Sequence, residues 1–136
     1  MSIKTTNVYV VWKSLILLIR RSRLDENKPG WWESPAGHVD TPCYTRDSSR
    51  LRKEALRELF EESGIAAHIA DLTYLPNFSN TTHSSYLLLV SDELPPIVRL
   101  SDEHESFRWV SLNDSGIYPI REECKTFINH CSRGNL

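Results

Sequence analysis

Residues 57–65 read Arg-Glu-Leu-Phe-Glu-Glu-Ser-Gly-Ile, a stretch with the pattern of a helix that ends at a glycine. An α-helix turns by about 100° per residue. One narrow face would therefore carry the carboxylates of Glu54, Glu58, Glu61 and Glu62. An adjacent face would present an apolar stripe to the core, made of Ala55, Leu56, Leu59 and Phe60. Gly64 stands where a left-handed helix cap favours a residue without a Cβ, so we expect the helix to end there.

The crowding of these carboxylates needs a counter-charge. Like charges three or four residues apart destabilise a helix, and acids near its C-terminus oppose the helix dipole. One interpretation is an exposed acidic face relieved by Arg50, Lys53 and Arg57. The other is a site for a hard divalent cation such as Mg²⁺, which takes oxygen ligands. The residue types alone are compatible with both interpretations.

The spacing of residues 57–65 resembles a known signature. It matches R-E-U-x-E-E-x-G-U, the second half of the Nudix (MutT-like) box, at every fixed position. Residues 34–40, Ser-Pro-Ala-Gly-His-Val-Asp, resemble the opening of that box, but Cys43 stands where the family has a glutamate. From Gly37 to Arg57 the chain is also six residues longer than the family spacing, which predicts an insertion within Thr41–Ser49.

The resemblance implies a set of metal ligands and catalytic residues. Glu58, Glu61, Glu62 and the carbonyl of Gly37 would hold Mg²⁺, with Mn²⁺ as the alternative ion. Arg57 would orient this cluster. In the family this arginine pairs with the glutamate that is missing at Cys43, so the resemblance does not say what holds it here. Glu58 or a glutamate from a later loop would take the proton from water.

A second stretch supplies that later glutamate. Residues 103–110, Glu-His-Glu-Ser-Phe-Arg-Trp-Val, resemble a run that many Nudix proteins carry beyond the box. Glu103 fits the pattern best as a metal ligand or general base, Glu105 is the alternative, and a solvated acidic loop is the other interpretation. Phe107 and Trp109 alternate onto one face of a strand, so we expect both in the core.

Two candidate substrate contacts follow from the early part of the chain. Arg20 and Arg21 end an apolar run, and in the resembling family basic residues at this place often meet phosphates. A strand end whose charged groups extend into water explains them equally well. Trp31 and Trp32 are adjacent, and successive side chains of an extended chain point to opposite sides, so one should be accessible. Trp32 is predicted to stack on a base, with structural packing as the alternative.

Tyr86 is the third predicted substrate contact. It lies in the apolar run Ser85–Val90, which has the character of a buried strand. Together with Phe78 and His83 it is a candidate for the specificity pocket. For His83, a surface position at a strand start is the other interpretation.

Composition and charge set limits on the class of protein. With 136 residues, 40% hydrophobic and 25% charged, the chain has the composition of one soluble globular domain over residues 1–136. A net charge of −2 argues against a broad nucleic-acid surface. The three cysteines lack C-x-x-C spacing, which favours a reduced protein. No membrane-spanning stretch is evident, and we expect a cytoplasmic monomer or homodimer.

The order of elements predicts an α/β fold. Val8–Trp12 and Leu15–Arg21 have the pattern of a hairpin, the second being a central strand, and Ala66–Leu75 and Ser85–Val90 add strands. Ile120–Cys131 is amphipathic and should cover the sheet as a terminal helix. Strands with two helices give a mixed β-sheet between helices, which agrees with the Nudix-type α/β/α sandwich that the resemblance implies.

The resemblance implies Mg-dependent hydrolysis of the diphosphate linkage in a nucleoside diphosphate linked to a moiety X. Divalent cations neutralise the anhydride oxygens and lower the pKa of a bound water. The alternative is a catalytically inactive Nudix-fold nucleotide-binding module, which the missing glutamate at Cys43 supports. Nucleoside triphosphates, dinucleoside polyphosphates and small nucleotide sugars all stay open as substrates.

Overall fold

The computed structural model describes residues 2–113 and 119–134. These residues form seven strands, two α-helices and two single 3₁₀ turns, at Ile69–Asp71 and Pro76–Phe78. The strands are β1 (Ile3–Trp12), β2 (Leu15–Arg21), β3 (Trp32–Glu33), β4 (Ala36–Cys43), β5 (Leu72–Tyr74), β6 (His83–Val90) and β7 (His104–Ser111). The helices are α1 (Ser49–Ser63) and α2 (Glu122–Ser132).

β1 is the strand around which the sheet is arranged. It pairs in parallel with β6 from Thr5 to Trp12, and antiparallel with β4 at its beginning and with β2 at its end. β2 in turn pairs with β3 and, along its whole length, with β7. Because parallel and antiparallel neighbours occur together, the sheet is mixed, as predicted.

The predicted hairpin between β1 and β2 is present. Lys13 and Ser14 connect the strands, and both have positive φ values, of 48° and 64°. Two consecutive residues with positive φ are characteristic of the two-residue turn whose twist matches that of the flanking strands. The hairpin brings Leu15 next to Trp12 and makes β2 a strand buried on both faces.

Each face of the sheet carries one helix. Along β1, Val8 and Val10 belong to the core cluster beneath α1, whereas Tyr9 and Val11 belong to the cluster beneath α2. This alternation is what the two-residue period of a strand requires. Tyr9 stacks on Phe127 of α2, with ring centroids 4.0 Å apart. The result is the predicted α/β/α sandwich, including the predicted terminal helix.

The predicted insertion is divided between a strand and a loop. β4 continues to Cys43, and α1 begins at Ser49. The side chain of Ser48 accepts a hydrogen bond from the backbone N–H of Leu51 (3.2 Å), so Ser48 is the N-cap of α1. Residues 41–43 thus belong to β4, and residues 44–48 connect the strand to α1.

Three local predictions were wrong. Phe60 is 58% exposed because α1 buries a narrower stripe, formed by Leu51, Ala55 and Leu59. Phe107, on β7, is 41% exposed. In the described part of the chain β7 pairs with β2 alone, so this strand has a neighbouring strand on one side only. The strand predicted over Ala66–Leu75 is reduced to β5, which a 3₁₀ turn precedes.

All three cysteines are buried as free thiols. Neither α1, with 15 residues, nor α2, with 11, is long and apolar enough to cross a lipid bilayer, and the described ranges contain no further α-helix.

The two faces of α1 should respond differently to truncation. Leu59→Ala removes a fully buried side chain beneath the sheet, and we expect it to lower the free energy of unfolding by roughly 2–5 kcal/mol. Phe60→Ala, one position along and on the exposed face, should change it by about 0.5 kcal/mol. Urea unfolding of the two variants measures the difference. Equal losses would contradict the burial pattern of the helix.

Candidate functional site

A cleft of about 520 Å³ opens where β4, the second half of α1 and the loop before β7 meet. Its walls are rich in carboxylates, those of Asp25, Glu33, Asp40, Glu58, Glu62, Glu103 and Glu123. Gly37 and His38 also line it, from the strand that faces α1. The acidic face predicted from the sequence therefore adjoins a cavity rather than open solvent.

The C-terminus of α1 is fixed by its glycine cap. Gly64 has a φ of 73°, and its backbone N–H donates to the carbonyl of Phe60 (2.8 Å). A Cβ on Gly64 would also lie 3.0 Å from Cβ of Arg99. Both the left-handed conformation and the close neighbour favour glycine, as the sequence predicted. The cap holds the last turn, which carries the acidic residues, in one position.

Gly37 is required for another reason. A Cβ on Gly37 would lie 2.0 Å from Cδ of Glu58, well inside the contact distance of two carbons. The backbone of Gly37 pairs with Thr6 of β1, so the strand itself has no freedom to withdraw. The absence of a side chain therefore lets the β4 backbone lie directly against the Glu58 carboxylate.

Glu62 is a buried carboxylate with one clear hydrogen-bond donor. It is 5% exposed, and the backbone N–H of Ala36 donates to its Oε1 at 2.7 Å. Burial raises the pKa of the Glu62 carboxyl to about 8, and the Ala36 hydrogen bond opposes this only in part. Burial also raises the pKa of Glu58, with the charge of Arg57 acting in the opposite direction.

Arg57 is held by carboxylates on its own helix and by Asp40 of β4, whose Oδ2 lies 3.3 Å from Nη2 of Arg57. Its Nη2 lies 2.6 Å from Oε2 of Glu54 and 3.2 Å from Oε1 of Glu58, and its Nη1 lies 3.2 Å from Oε1 of Glu61. Hydrogen bonding to Glu54 is the largest contribution that raises the pKa of Arg57. Glu54 therefore makes the shortest contact with Arg57 in a chain that has Cys43 where the resemblance would place a glutamate. The i,i+3 spacing of the two residues was visible in the sequence.

Three side chains bring potential metal ligands together. Glu62, Glu103 and His104 each offer one ligand atom, and these atoms lie within 4.8 Å of one another. Glu61 is outside this group; its side chain is half-exposed and paired with Arg57. Glu105 pairs with Arg20 and Arg23, at 3.6 and 3.3 Å, so Glu103 is the glutamate of this loop that faces the cleft.

The predicted substrate contacts do not line the cleft. The side chain of Arg20 donates to the carbonyl of Gly30 and pairs with Glu105. Trp32 is buried in the core cluster beneath α2. Tyr86 is fully buried, and its hydroxyl donates to Oδ1 of Asp47 at 2.9 Å. These positions, outside the lining of the cleft, are at odds with direct substrate contact by Arg20, Trp32 or Tyr86.

Two other cationic residues do line the cleft. Arg21, the neighbour of Arg20, lines the cleft, and so does Arg121. Both contact Glu33, at 3.0 and 3.7 Å. The sequence indicated no role for Glu33 or Arg121, because the partners of this network come from segments far apart in the chain.

The chain is similar to known proteins in both sequence and structure. The family model of the NUDIX domain matches residues 3–131. No curated protein matches the chain significantly. A MutT NUDIX hydrolase from Burkholderia pseudomallei has 25% identity and a TM-score of 0.62, over 92% of this chain and 94% of that one.

Two further solved structures carry ligands or a named activity. A binary complex of an Ap4A hydrolase from C. elegans has 22% identity and a TM-score of 0.67, over 96% of this chain and 97% of that one. The NUDIX domain of Shewanella oneidensis NrtR, complexed with ADP ribose, has 18% identity and a TM-score of 0.72, over 100% of this chain and 90% of that one. Both share the fold described above.

The family match spans nearly all of the residues that build the sheet, the helices and the acidic cleft. This chain belongs to the Nudix family and is a Nudix hydrolase acting on phosphoric anhydrides.

Proposed function

We propose that the protein hydrolyses the diphosphate linkage of a nucleoside diphosphate linked to a further moiety, using Mg²⁺ or Mn²⁺ held in the acidic cleft. The observation that carries this proposal is the convergence of Glu58, Glu62 and Glu103 on one cavity beside the backbone of Gly37. Carboxylates and a backbone carbonyl are the oxygen ligands that a divalent cation takes, and the cation would in turn neutralise the anhydride oxygens.

The donor set fits a hard cation. Burial raises the pKa values of Glu58 and Glu62, so ionising them in the metal-free protein is unfavourable. A divalent cation offsets this cost because it stabilises the ionised carboxylates. Glu58, Glu62, Glu103 and the Gly37 carbonyl would hold the ion. When bound, it would neutralise phosphate oxygens and make a bound water more acidic.

The side chains around these ligands have separate roles in the proposal. Arg57 fixes Glu58 and balances part of the acidic charge, while Glu61 acts as a partner of Arg57 rather than as a ligand. Glu58 is the proposed general base, since its carboxylate lines the cleft directly beside the Gly37 backbone. Glu103, from the loop opposite, is the alternative base.

The cleft also has groups suited to a nucleotide. Arg21 and Arg121 place two guanidinium groups at the wall beside Glu33, where they could pair with phosphate oxygens. Thr5, Asn7 and His83 provide a polar floor. The ligand of the NrtR domain and the name of the C. elegans enzyme suggest two substrate classes to test first, nucleotide sugars and dinucleoside polyphosphates.

Hydrolysis should depend on the buried carboxylates. With Mg²⁺ and a panel of nucleoside triphosphates, ADP-ribose and dinucleoside polyphosphates, wild type should release product from at least one class. Glu58→Gln and Glu62→Gln should reduce that rate by at least about 100-fold. Glu93→Gln, an exposed glutamate with no role in the cleft, is the matched control and should keep the wild-type rate. Binding of a nucleotide without hydrolysis of any panel member would instead support the inactive binding module.

Gly37→Ala should impair catalysis more than folding. The new methyl group would force the Glu58 carboxylate aside, and the end of that side chain is flexible enough to move. A displacement of about 1 Å at a catalytic group can lower a rate by about 100-fold, and we expect a loss of this size. Initial rates measure the effect, with urea unfolding of the same variant as the control. An unchanged rate would show that Glu58 does not need its present position.

The charge of Glu62 should be visible in the stability of the metal-free protein. Its pKa is raised from 4.5 to about 8, so between these pH values the folded protein holds a proton that the unfolded chain releases. Stability therefore falls as pH rises through this window. Glu62→Gln should remove the part of this decline that Glu62 causes. That part reaches on the order of a few kcal/mol of unfolding free energy at pH 8.

The measurement is the difference in unfolding free energy between wild type and Glu62→Gln, from urea titrations at pH 5 to 8. His83, whose pKa is lowered by burial, contributes the opposite trend below its ordinary pKa in both proteins, so the slope of either one alone is not decisive. Glu93→Gln should follow wild type. Parallel curves for wild type and Glu62→Gln would contradict the raised pKa.

A further inference from the structure

His104 is a buried histidine next to the acidic cleft, and the proposed mechanism gives it no task. Its side chain is 1% exposed, at the first residue of β7. Nε2 lies 2.9 Å from Oε2 of Glu33. Glu33 is flanked by Arg21 and Arg121, at 3.0 and 3.7 Å, and its carboxylate oxygens act as hydrogen-bond acceptors toward the groups around it. Nε2 must therefore carry a hydrogen and donate it to Glu33.

The other ring nitrogen has no such partner. Nδ1 of His104 is buried and makes no hydrogen bond within the described part of the chain. In a neutral imidazole with its hydrogen on Nε2, Nδ1 presents a lone pair. A buried polar atom that is left unsatisfied lowers stability, so it calls for a ligand.

The surroundings identify the kind of ligand. A ring nitrogen of His104 and carboxylate oxygens of Glu62 and Glu103 lie within 4.8 Å of one another. Histidines that bind a metal through one nitrogen almost always donate the other N–H to a carboxylate or carbonyl, which fixes the ring. Glu33 and His104 form that arrangement.

We propose that Nδ1 of His104 is a metal ligand together with Glu62 and Glu103, and that the site therefore binds a first-row transition ion such as Mn²⁺ more tightly than Mg²⁺. An imidazole nitrogen strengthens binding to transition ions, whereas Mg²⁺ prefers oxygen ligands. This inference rests on one part of the proposed function, namely that the acidic cleft holds the metal ion.

The test observes the ion directly, without substrate. Mn²⁺ is titrated into metal-free protein and followed by electron paramagnetic resonance, and pulsed spectra report nitrogen bound to the ion. Wild type should show a ¹⁴N coupling that changes to a ¹⁵N coupling in protein labelled with ¹⁵N-histidine. His104→Gln should remove the coupling and weaken Mn²⁺ binding by about 10–100-fold. Its affinity for Mg²⁺, measured by competition, should change by less than about 3-fold.

Matched histidine variants assign the nitrogen. His38 and His83 also line the cleft, and His68 is exposed elsewhere. His38→Gln, His83→Gln and His68→Gln should all keep the nitrogen coupling. A coupling that survives His104→Gln but disappears in His38→Gln or His83→Gln would overturn the proposal. If His104→Gln does not fold, labelled wild type still decides, because Mn²⁺ bound without any nitrogen coupling overturns it.

The two proposals fail separately. Hydrolysis with Mg²⁺ in a protein whose bound Mn²⁺ shows no nitrogen coupling would leave the proposed function intact and remove His104 as a ligand. If bound Mn²⁺ shows the nitrogen coupling but the protein hydrolyses no panel member, His104 remains a metal ligand and the proposed hydrolysis is contradicted.

Discussion

Gly37 and Glu58 lie so close that a single methyl group on the strand would overlap the carboxylate. That contact joins the two parts of the site, since β4 is fixed by pairing with β1 and Glu58 is fixed by the glycine-capped end of α1. The walls of the cleft follow from it. A helix that was shifted by one turn would present different residues to the strand, and the carboxylates would then face solvent.

The same contact creates an electrostatic problem that the neighbouring residues reduce. Bringing Glu58 and Glu62 out of water raises the pKa of both carboxyls, and Arg57 offsets part of this cost from the exposed side of the helix. Glu54 completes the arrangement by holding Arg57 from one turn upstream. Arg57 is therefore held by acidic residues other than one at position 43, where this chain has a cysteine.

Much of this organisation was predictable from local sequence. The helix, its cap and its acidic face all depend on residues within one short stretch, whose periodicity and terminal glycine identify them. The hairpin and the mixed sheet followed from apolar runs in the same way. The substrate contacts were a different case. Most residues of β6 are buried, on both faces of the strand, so the pattern does not say that Tyr86 points toward Asp47 rather than toward a ligand.

Networks of polar contacts between segments distant in the chain were not predicted. Glu33 receives partners from β2, from β7 and from the residue before α2, and no local pattern connects these positions. His104 stood within a motif, yet its unusual surroundings depend on that network. Phe107 shows the same limit for packing, because strand alternation gives the face of a side chain but not whether another element covers it.

The parallel pairing of β1 with β6 has a consequence for how the protein reaches this state. Thr5 and His83 meet although they are 78 positions apart, so the centre of the sheet forms only after a large loop has closed. Contacts of such long range slow folding, because the entropy of closure is lost before the contacts can compensate for it. β4 and α1 both lie inside that loop, while Glu103 lies beyond it. The acidic cavity is therefore a product of the final topology, and a chain emerging from synthesis has no complete cavity until β7 has joined the sheet.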